Sequence, residues 1–205
     1  QEIRDFFAEA RAYRDAKARI FENQSSDDWA VLNADDAPAL ALARGTAART
    51  RLFSKTGAIA AGTVVEDGWI VSRTERGSDR LLPLSNVRLL GPHLIDDVLA
   101  ASTMALIAGA PAGAMDTAVS GFAGLEHAME LVATIGGVRF VNDSKATNVE
   151  AAVRSVESFP GGVVAIIGGR FKGGDLRLLR TPLGGRGAAV VAIGEAAPLV
   201  HDALG

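Results

Sequence analysis

The strongest restriction on the fold comes from the last third of the chain, where apolar runs of strand length alternate with helical patterns. Residues 137–142, 163–167 and 188–193 are such runs, and an apolar face at helical spacing extends from Val149 to Val156 between the first two. A strand, a helix of about three turns and a further strand form a βαβ unit, whose strands are parallel and whose crossover is right-handed in nearly all cases. The sequence therefore predicts a parallel α/β sheet in this region.

The rest of the chain has a mixed pattern. Its predicted elements are a helix over 4–21, a strand over 29–32, short antiparallel strands over 51–90 with a hairpin turn at Asp67–Gly68, and helices over 93–110 and 111–121. This change of pattern indicates a domain boundary near residues 121–124. We therefore predict an α/β protein, with a mixed sheet and helices over residues 1–122 and a truncated, Rossmann-like parallel domain over residues 123–205.

Composition excludes several classes of protein. The chain has 205 residues, a formal net charge of -3 and no cysteine, which excludes a disulfide scaffold and argues against a basic nucleic-acid-binding domain. It has no apolar stretch of the roughly 20 residues that span a bilayer, and no signal-peptide pattern. These features predict a cytoplasmic protein without nucleic-acid or membrane partners. Because residue 1 is Gln and the sequence stops just after a predicted strand and helix, we expect a piece of a longer polypeptide.

Lys17 lies in an apolar stripe of the first predicted helix. The stripe consists of Phe6, Ala10, Tyr13 and Ile20, and at about 100° per residue Lys17 falls in its middle. The amine is therefore expected to point at the core, where burial favours the neutral form that acts as a nucleophile or reacts with carbon dioxide. The alternative is a lysine that extends from the helix end to water.

Two polar loops follow predicted parallel strands. The first runs from Asp143 to Lys145 and precedes a capping-box sequence that begins at Thr147, while the second, 168–175, is rich in glycine and contains Lys172. We expect both loops at the carboxyl edge of one sheet, where cations and a helix amino end suit phosphates and carboxylates. The alternative is that the glycines only form turns and the charges are solvated. The chain contains no G-x-x-x-x-G-K-[ST] pattern, and the second loop is not the dinucleotide fingerprint.

The three histidines, His93, His127 and His201, carry a weaker signal. None has a second ligand at metal spacing, so each is interpreted as a capping or packing residue. No serine stands in a nucleophile-elbow context, so a serine-histidine-acid site is not predicted.

Several segments together resemble the Mur ligase family. They are Val141-Asn142-Asp143-Ser144-Lys145-Ala146-Thr147-Asn148, Gly168-Gly169-Arg170-Phe171-Lys172-Gly173-Gly174-Asp175, Ala16-Lys17-Ala18-Arg19-Ile20-Phe21-Glu22-Asn23-Gln24, Asn33-Ala34-Asp35-Asp36 and Gly91-Pro92-His93. Within the family, the sequence resembles the members that add D-glutamate. The resemblance covers nearly the whole chain. It implies that residues 1–122 are the end of a central ATP-binding domain and residues 123–205 the beginning of a C-terminal Rossmann-like domain.

The resemblance also implies an activity, that of an ATP-dependent amide ligase of peptidoglycan precursor synthesis, with roles in cell shape and cell division. In such an enzyme, ATP phosphorylates the carboxylate of UDP-MurNAc-L-alanine, and the amine of D-glutamate then attacks the acyl phosphate. The implied cofactors are ATP and Mg²⁺, and the implied partners are these two small-molecule substrates. A cytoplasmic monomer is expected. The 205-residue chain by itself is expected to be inactive, since it lacks a phosphate-cradling loop.

Five residues receive roles from the resemblance. Lys17 matches a catalytic lysine that is carbamylated and whose carbamate holds a magnesium ion. Asp143 matches the residue that contacts the nucleotide ribose, and Lys145 matches one near the phosphates. Thr147 and Lys172 match residues that bind D-glutamate.

Some positions depart from the family pattern. At the adenine-contacting helix the family has His-Asn and an Asn three residues later, whereas this chain has His93, Leu94 and Asp97, so the candidate adenine contact Asp97 lacks an amide donor. Ala128 replaces a phosphate-contacting arginine, and Phe171 replaces an acidic residue. These departures favour an alternative, a non-catalytic binding or interaction module with the ligase fold. The intact charged positions favour the enzyme, which is the main hypothesis.

Overall fold

The computed structural model of the protein describes residues 12–205, which form two units. The first unit contains residues up to Val87 together with Ile95–Gly121, and the second contains Arg88–Leu94 and Phe122–Gly205. The chain thus contributes a short segment to the second unit before two helices complete the first.

The first unit is built on a five-stranded sheet whose strand order follows the chain. The strands are β1 (Trp29–Asn33), β2 (Arg49–Ser54), β3 (Gly62–Glu66), β4 (Trp69–Thr74) and β5 (Gly77–Pro83). β1, β2 and β3 are parallel to one another, and β3, β4 and β5 are antiparallel. The sheet is therefore mixed, as the sequence predicts for this part of the chain.

Turn chemistry explains where the sheet reverses direction. The predicted hairpin at Asp67–Gly68 is confirmed, because both turn residues have positive φ and join antiparallel strands. The expectation that all of 51–90 is antiparallel is wrong for β2, which is parallel to both its neighbours. A two-residue turn forces a reversal, whereas the longer connection 55–61 does not. Arg73 fixes that connection by donating to two of its carbonyl oxygens at 2.8 and 2.9 Å.

Helices pack beside this sheet. The described helical residues of the first unit are 12–18, the 3-10 turns Arg19–Phe21, Ala43–Gly45 and Leu84–Asn86, and the helices α1 (Ala37–Leu42), α2 (Leu94–Ile107, whose first residue belongs to the second unit) and α3 (Ala112–Gly121). α2 buries Val98 and Leu99, and its Thr103 hydroxyl lies 2.8 Å from the hydroxyl of Thr63 in β3. The predicted helices over 93–110 and 111–121 are confirmed.

The second unit contains two pairs of strands. β6 (Glu130–Ile135) and β7 (Val138–Asn142) form an antiparallel hairpin, and β8 (Val164–Gly168) and β9 (Ala189–Ile193) form a parallel pair. Its helical elements are α4 (Val149–Glu157), the 3-10 turn Leu176–Leu179, α5 (Arg180–Gly184) and α6 (Ala197–Leu204).

The predicted pairing of the strands over 137–142 and 163–167 in one sheet is wrong. β7 is hydrogen-bonded to β6, and β8 is hydrogen-bonded to β9. The sequence interpretation missed β6, although Gly136–Gly137 is a hairpin signal and both glycines have the positive φ that a tight two-residue turn requires. The parallel arrangement is observed instead between β8 and the predicted strand over 188–193.

One face of the β8–β9 pair is covered and the other is not. A buried cluster of Val149, Val156, Leu179 and Leu183 packs against Ala165, Ile167 and Ala188. On the opposite face, Val164, Ile166, Val191 and Ile193 are 65%, 69%, 45% and 50% exposed. None of the helices within residues 12–205 combines the length and apolar character that crossing a bilayer requires.

Candidate functional site

The site begins at the amino end of α4. Asn148 caps this helix, since its side-chain oxygen accepts a hydrogen bond from Ala151 N at 2.7 Å. The predicted capping box beginning at Thr147 is therefore wrong by one residue. Asn and Thr both favour the cap position, and the extended backbone of Asn148 decides between them. Thr147 is left exposed just before the cap.

Asp143 follows β7 and is held on both carboxylate oxygens. Its Oδ1 accepts a hydrogen bond from Met129 N at 3.0 Å, and its Oδ2 accepts one from the Ser155 hydroxyl. The backbone N–H of Lys145 donates to His127 O at 3.0 Å. The segment that carries Asp143 and Lys145 is therefore fixed against the turn that precedes β6.

His127 takes part in that attachment. Its ring Nδ1 lies 2.8 Å from Asn142 Nδ2, and its backbone N–H donates to Glu130 Oε2 at 2.8 Å. His127 and Met129 both have positive φ, which is uncommon outside glycine and costs energy that the surrounding contacts offset. His127 is an exposed residue that forms hydrogen bonds, so the predicted packing role does not hold for it.

The other two histidines have different surroundings. His93 Nδ1 lies 3.5 Å from the hydroxyl of Ser158, the residue that caps the carboxyl end of α4. A Cβ on Gly91 would meet that hydroxyl at 2.7 Å, so the backbone approach there requires glycine. His201 is exposed on α6.

The Lys172 loop passes beside the same helix end. Gly174, with φ of 105°, lies so close to α4 that a Cβ on it would meet Val149 Cγ2 at 3.0 Å. The loop ends at Asp175, which accepts hydrogen bonds from the Arg177 guanidinium at 2.8 and 2.9 Å, and this pairing lowers the pKa of Asp175. Lys172 itself is exposed.

Four of the six predicted site residues therefore lie in the second unit, on the segment that leads into α4 and on the loop whose Gly174 contacts the amino end of that helix. They are Asp143, Lys145, Thr147 and Lys172. Within residues 12–205, neither the Lys145 nor the Lys172 ammonium group has a hydrogen bond or ion pair with another side chain. Both cations are thus available to a ligand. The Lys172 loop contacts Val149, the first residue of α4, through Gly174, and Lys145 stands four residues before that helix, although β7 and β8 belong to different sheets.

Lys17 and Asp97 belong to the first unit. The prediction that Lys17 points at a core is wrong, because its side chain is exposed and its Nζ lies 5.4 Å from the centroid of the Tyr13 ring. Tyr13 and Ile20, from the same stripe, are 68% and 73% exposed, and Phe6 and Ala10 lie outside the described residues. The helical spacing of the stripe predicts a core face, but its described members contact solvent.

Asp97 is exposed in the first turn of α2. Its neighbour Asp96 is the acidic residue that is engaged, because Asp96 Oδ2 lies 2.8 Å from Lys55 Nζ. The structure therefore leaves Asp97 accessible and gives Asp96 a structural role. The role of Asp97 in adenine contact stays a prediction.

Sequence reasoning missed the hydrogen bonds that surround the Asp35 carboxylate at the carboxyl ends of β1 and β2. Asp35 accepts hydrogen bonds from the hydroxyls of Ser54 and Thr56 at 2.7 and 2.6 Å and from the backbone N–H groups of Lys55 and Thr56 at 2.8 and 3.1 Å. Burial acts to raise the pKa of Asp35, but the hydrogen bonds from Thr56, Ser54 and Lys55 together lower it. Asn33-Ala34-Asp35-Asp36 is one of the segments that resemble the family, but the resemblance assigns no role to Asp35.

The described residues do not form a magnesium site by themselves. Within residues 12–205, no group of three or more histidine, cysteine, aspartate or glutamate side chains is arranged to hold a metal ion. A carbamate on Lys17 would add one ligand, but Lys17 is exposed beside an aromatic ring.

Comparison with known proteins relates the chain to the Mur ligases. The profile of the Mur ligase middle domain matches residues 4–105. The UDP-N-acetylmuramoylalanine--D-glutamate ligase of Acidobacterium capsulatum is 46% identical over 194 residues, which are 94% of this chain and 42% of that protein. The ligase of the same name from Geotalea uraniireducens is 42% identical over 205 residues, which are 98% of this chain and 44% of that protein. The chain thus spans less than half the length of these relatives.

Solved structures show the same fold. The UDP-N-acetylmuramoylalanyl-D-glutamyl-2,6-diaminopimelate--D-alanyl-D-alanyl ligase from Acinetobacter baumannii superposes with a TM-score of 0.65 at 17% identity, over 93% of this chain and 44% of that one. A pseudomurein peptide ligase type C from Methanothermus fervidus superposes with a TM-score of 0.58 at 13% identity, over 89% of this chain and 48% of that one. At these identities the likeness concerns the fold alone.

Proposed function

The chain belongs to the Mur ligase family, and from that premise we propose that it is part of an ATP-dependent ligase that joins D-glutamate to UDP-N-acetylmuramoyl-L-alanine. The observation that carries this proposal is the 46% identity, over 94% of the chain, to a relative named for that reaction. The proposed enzyme is a cytoplasmic monomer of peptidoglycan precursor synthesis. It requires ATP and Mg²⁺.

The nucleotide is proposed to lie against the segment that follows β7. In this proposal Asp143 accepts hydrogen bonds from ribose hydroxyls, which is supported by the acceptor capacity that each of its oxygens retains beside one protein donor. The Lys145 ammonium group, which is exposed two residues further on, pairs with the phosphates. ATP supplies the phosphoryl group that activates the acceptor carboxylate, and these two residues bind and orient it.

D-glutamate is proposed to bind between the exposed Thr147 and the Lys172 loop. A hydroxyl and an ammonium group together donate to a carboxylate, and the amino end of α4 adds its positive partial charge. The close approach of Gly174 to Val149 holds the Lys172 loop beside that helix end. The carbamate role of Lys17 stays a prediction from the family resemblance, and no step is assigned to it.

The test separates the two lysines kinetically in the complete ligase that contains this chain. Lys172→Ala should raise the KM for D-glutamate by about tenfold to a hundredfold, because a charge-assisted hydrogen bond to a bound carboxylate is lost. Lys145→Ala should chiefly impair the ATP-dependent step and leave D-glutamate saturation nearly unchanged. Arg154→Ala removes an equally exposed cation from α4, away from its amino end, and should change neither.

Saturation curves for ATP and D-glutamate decide the assignment. Identical kinetic effects of the two lysine substitutions would contradict the proposal that the two loops hold different ligands. A complete protein that binds ATP or the amino acid without turnover would instead support the alternative of a non-catalytic module. That alternative is favoured by the residues that depart from the family pattern, Leu94, Asp97 and Ala128.

A further inference from the structure

The side chain of Ser155, near the carboxyl end of α4, contacts Asp143, which lies twelve residues earlier in the chain. We propose that Ser155 is a positioning residue that fixes the Asp143 carboxylate for the vicinal hydroxyls of a nucleotide ribose. This inference rests on the proposed function, because it takes Asp143 to be the residue that meets the ribose. It assigns to Ser155 a role in nucleotide selectivity.

The Ser155 hydroxyl has a choice of two acceptors. Its Oγ lies 3.0 Å from Ala151 O, one helical turn earlier, and is also in hydrogen-bond contact with Asp143 Oδ2. A hydroxyl has a single proton, and an ionised carboxylate is a stronger acceptor than a backbone carbonyl that already accepts in the helix. The proton is therefore directed to Asp143.

The other carboxylate oxygen of Asp143, Oδ1, is held by the turn that precedes β6. Met129 N donates to Asp143 Oδ1 at 3.0 Å, and Met129 is buried with φ of 50°. The turn that contains it is tied down twice, by His127 N to Glu130 Oε2 at 2.8 Å and by Lys145 N to His127 O at 3.0 Å. Its left-handed backbone is thus stabilised by contacts that aim one N–H group at Asp143.

Donors on both oxygens fix the plane of the carboxylate. A carboxylate accepts about four hydrogen bonds, so each oxygen of Asp143 retains a lone pair for a ligand. Two acceptor positions held in one orientation match two neighbouring hydroxyls. Removing the Ser155 donor leaves one oxygen unsupported by a side chain and frees the group to rotate about its Cβ–Cγ bond.

The consequence is a specific one for ribose recognition. Loss of a positioning hydrogen bond weakens the ribose contact without removing it, so the preference for ATP over deoxynucleotides should fall by about threefold to tenfold. A residue that only supports the helix would lower the amount of folded enzyme and leave that preference unchanged. The selectivity ratio therefore separates positioning from support.

The experiment uses the complete ligase and measures KM and kcat with ATP, 2′-deoxy-ATP and 3′-deoxy-ATP. Ser155→Ala should lower the ratio of deoxynucleotide KM to ATP KM while the KM for D-glutamate stays constant. Ser155→Thr keeps the hydroxyl and should restore the ratio. Thr117→Ala is the matched control, because the Thr117 hydroxyl also donates back along its helix, to Gly113 O at 2.8 Å, and meets no carboxylate.

The outcomes distinguish this inference from the proposed function. If Asp143→Ala reduces the ratio to near one and Ser155→Ala leaves it at the wild-type value, the inference is overturned and the ribose role of Asp143 stands. If Asp143→Ala leaves the ratio unchanged, the ribose role of Asp143 itself is contradicted. The same holds if the unmodified ligase has no preference for ATP over the deoxynucleotides. Should Ser155→Ala not fold, Ser155→Cys carries the test, because a thiol is a weak donor and should lower the ratio in the same way.

Discussion

The two units treat apolar strands differently. In the first unit, Val64, Ile70, Leu82 and Leu99 are completely buried, and α2 meets the sheet through the paired hydroxyls of its Thr103 and Thr63. In the second unit, the residues within 12–205 cover one face of the β8–β9 pair and leave the other face exposed. Parallel sheets are ordinarily covered on both faces, and their strands are apolar throughout for that reason. The strands β8 and β9 have that apolar composition, although the described residues cover only one face of the pair.

A second contrast concerns carboxylates at strand ends. Asp35 in the first unit accepts four hydrogen bonds from its neighbours and has no capacity left for a ligand. Asp143 in the second unit accepts two. The first arrangement closes a loop structurally, whereas the second leaves acceptors available. Position at a strand end is therefore insufficient to identify a ligand site, and the number of protein donors decides.

The largest expected effect on the free energy of unfolding comes from truncating one fully buried leucine in the core of each unit. Leu99→Ala in the first unit and Leu179→Ala in the second should each lower the free energy of unfolding by about 2–5 kcal/mol, because both side chains are fully buried. Chemical denaturation followed by circular dichroism measures this. A cost of Leu179→Ala below about 1 kcal/mol would mean that the cluster around Leu179 does not form a packed core. The two units would then differ in stability as well as in how their strands are covered.

The next effect is the pH dependence of Asp35. Its folded pKa is lowered, so its contribution to stability is present above the ordinary aspartate value near 4 and is lost as the pH falls through the lower, folded value. Asp35→Asn should cost about 1 kcal/mol at pH 7, a low value for charged hydrogen bonds because the carboxylate is exposed. The difference from wild type should shrink below pH 4.

A matched substitution controls for charge. Asp79→Asn removes an exposed carboxylate of β5 and should leave the unfolding free energy within about 0.5 kcal/mol at each pH. A difference between wild type and Asp35→Asn that stays constant from pH 7 to pH 2 would show that the hydrogen bonds to Asp35 do not depend on its ionisation.

The smallest effect is expected on the uncovered face of the β8–β9 pair. In the 205-residue chain, Ile166→Thr should change the unfolding free energy by less than about 0.5 kcal/mol, since Ile166 is exposed, and should reduce the binding of a hydrophobic dye. Ile167→Thr, the next residue on the covered face, should cost above about 1 kcal/mol. Equal costs at the two positions would mean that both faces are covered in solution.

The sequence predicted the elements better than their pairing. Apolar runs and turn residues identified β8, β9 and the hairpin at Asp67–Gly68, because local patterning encodes strand formation directly. Pairing depends on contacts between distant residues, so the partner of β7 was assigned wrongly once β6 had been missed. The Gly136–Gly137 turn held the necessary signal.

Site residues were predicted by the resemblance and not by their contacts. The Gly174 contact brings the Lys172 loop to the amino end of α4, but Ser155 could not be found from the sequence, because its hydroxyl reaches Asp143 only through the packing of α4. Lys17 shows the opposite error. Its stripe has helical spacing, yet spacing does not reveal whether a core faces it.

The most direct test of the account is the amino-acid dependence of phosphate release by the complete ligase that contains this chain. With ATP, Mg²⁺ and UDP-N-acetylmuramoyl-L-alanine present, phosphate release should require D-glutamate and should stay at background with D-alanyl-D-alanine or with L-glutamate. Lys172→Ala should shift the D-glutamate saturation curve in that same assay. Phosphate release that is independent of D-glutamate, or that another amino acid supports equally well, would contradict the account.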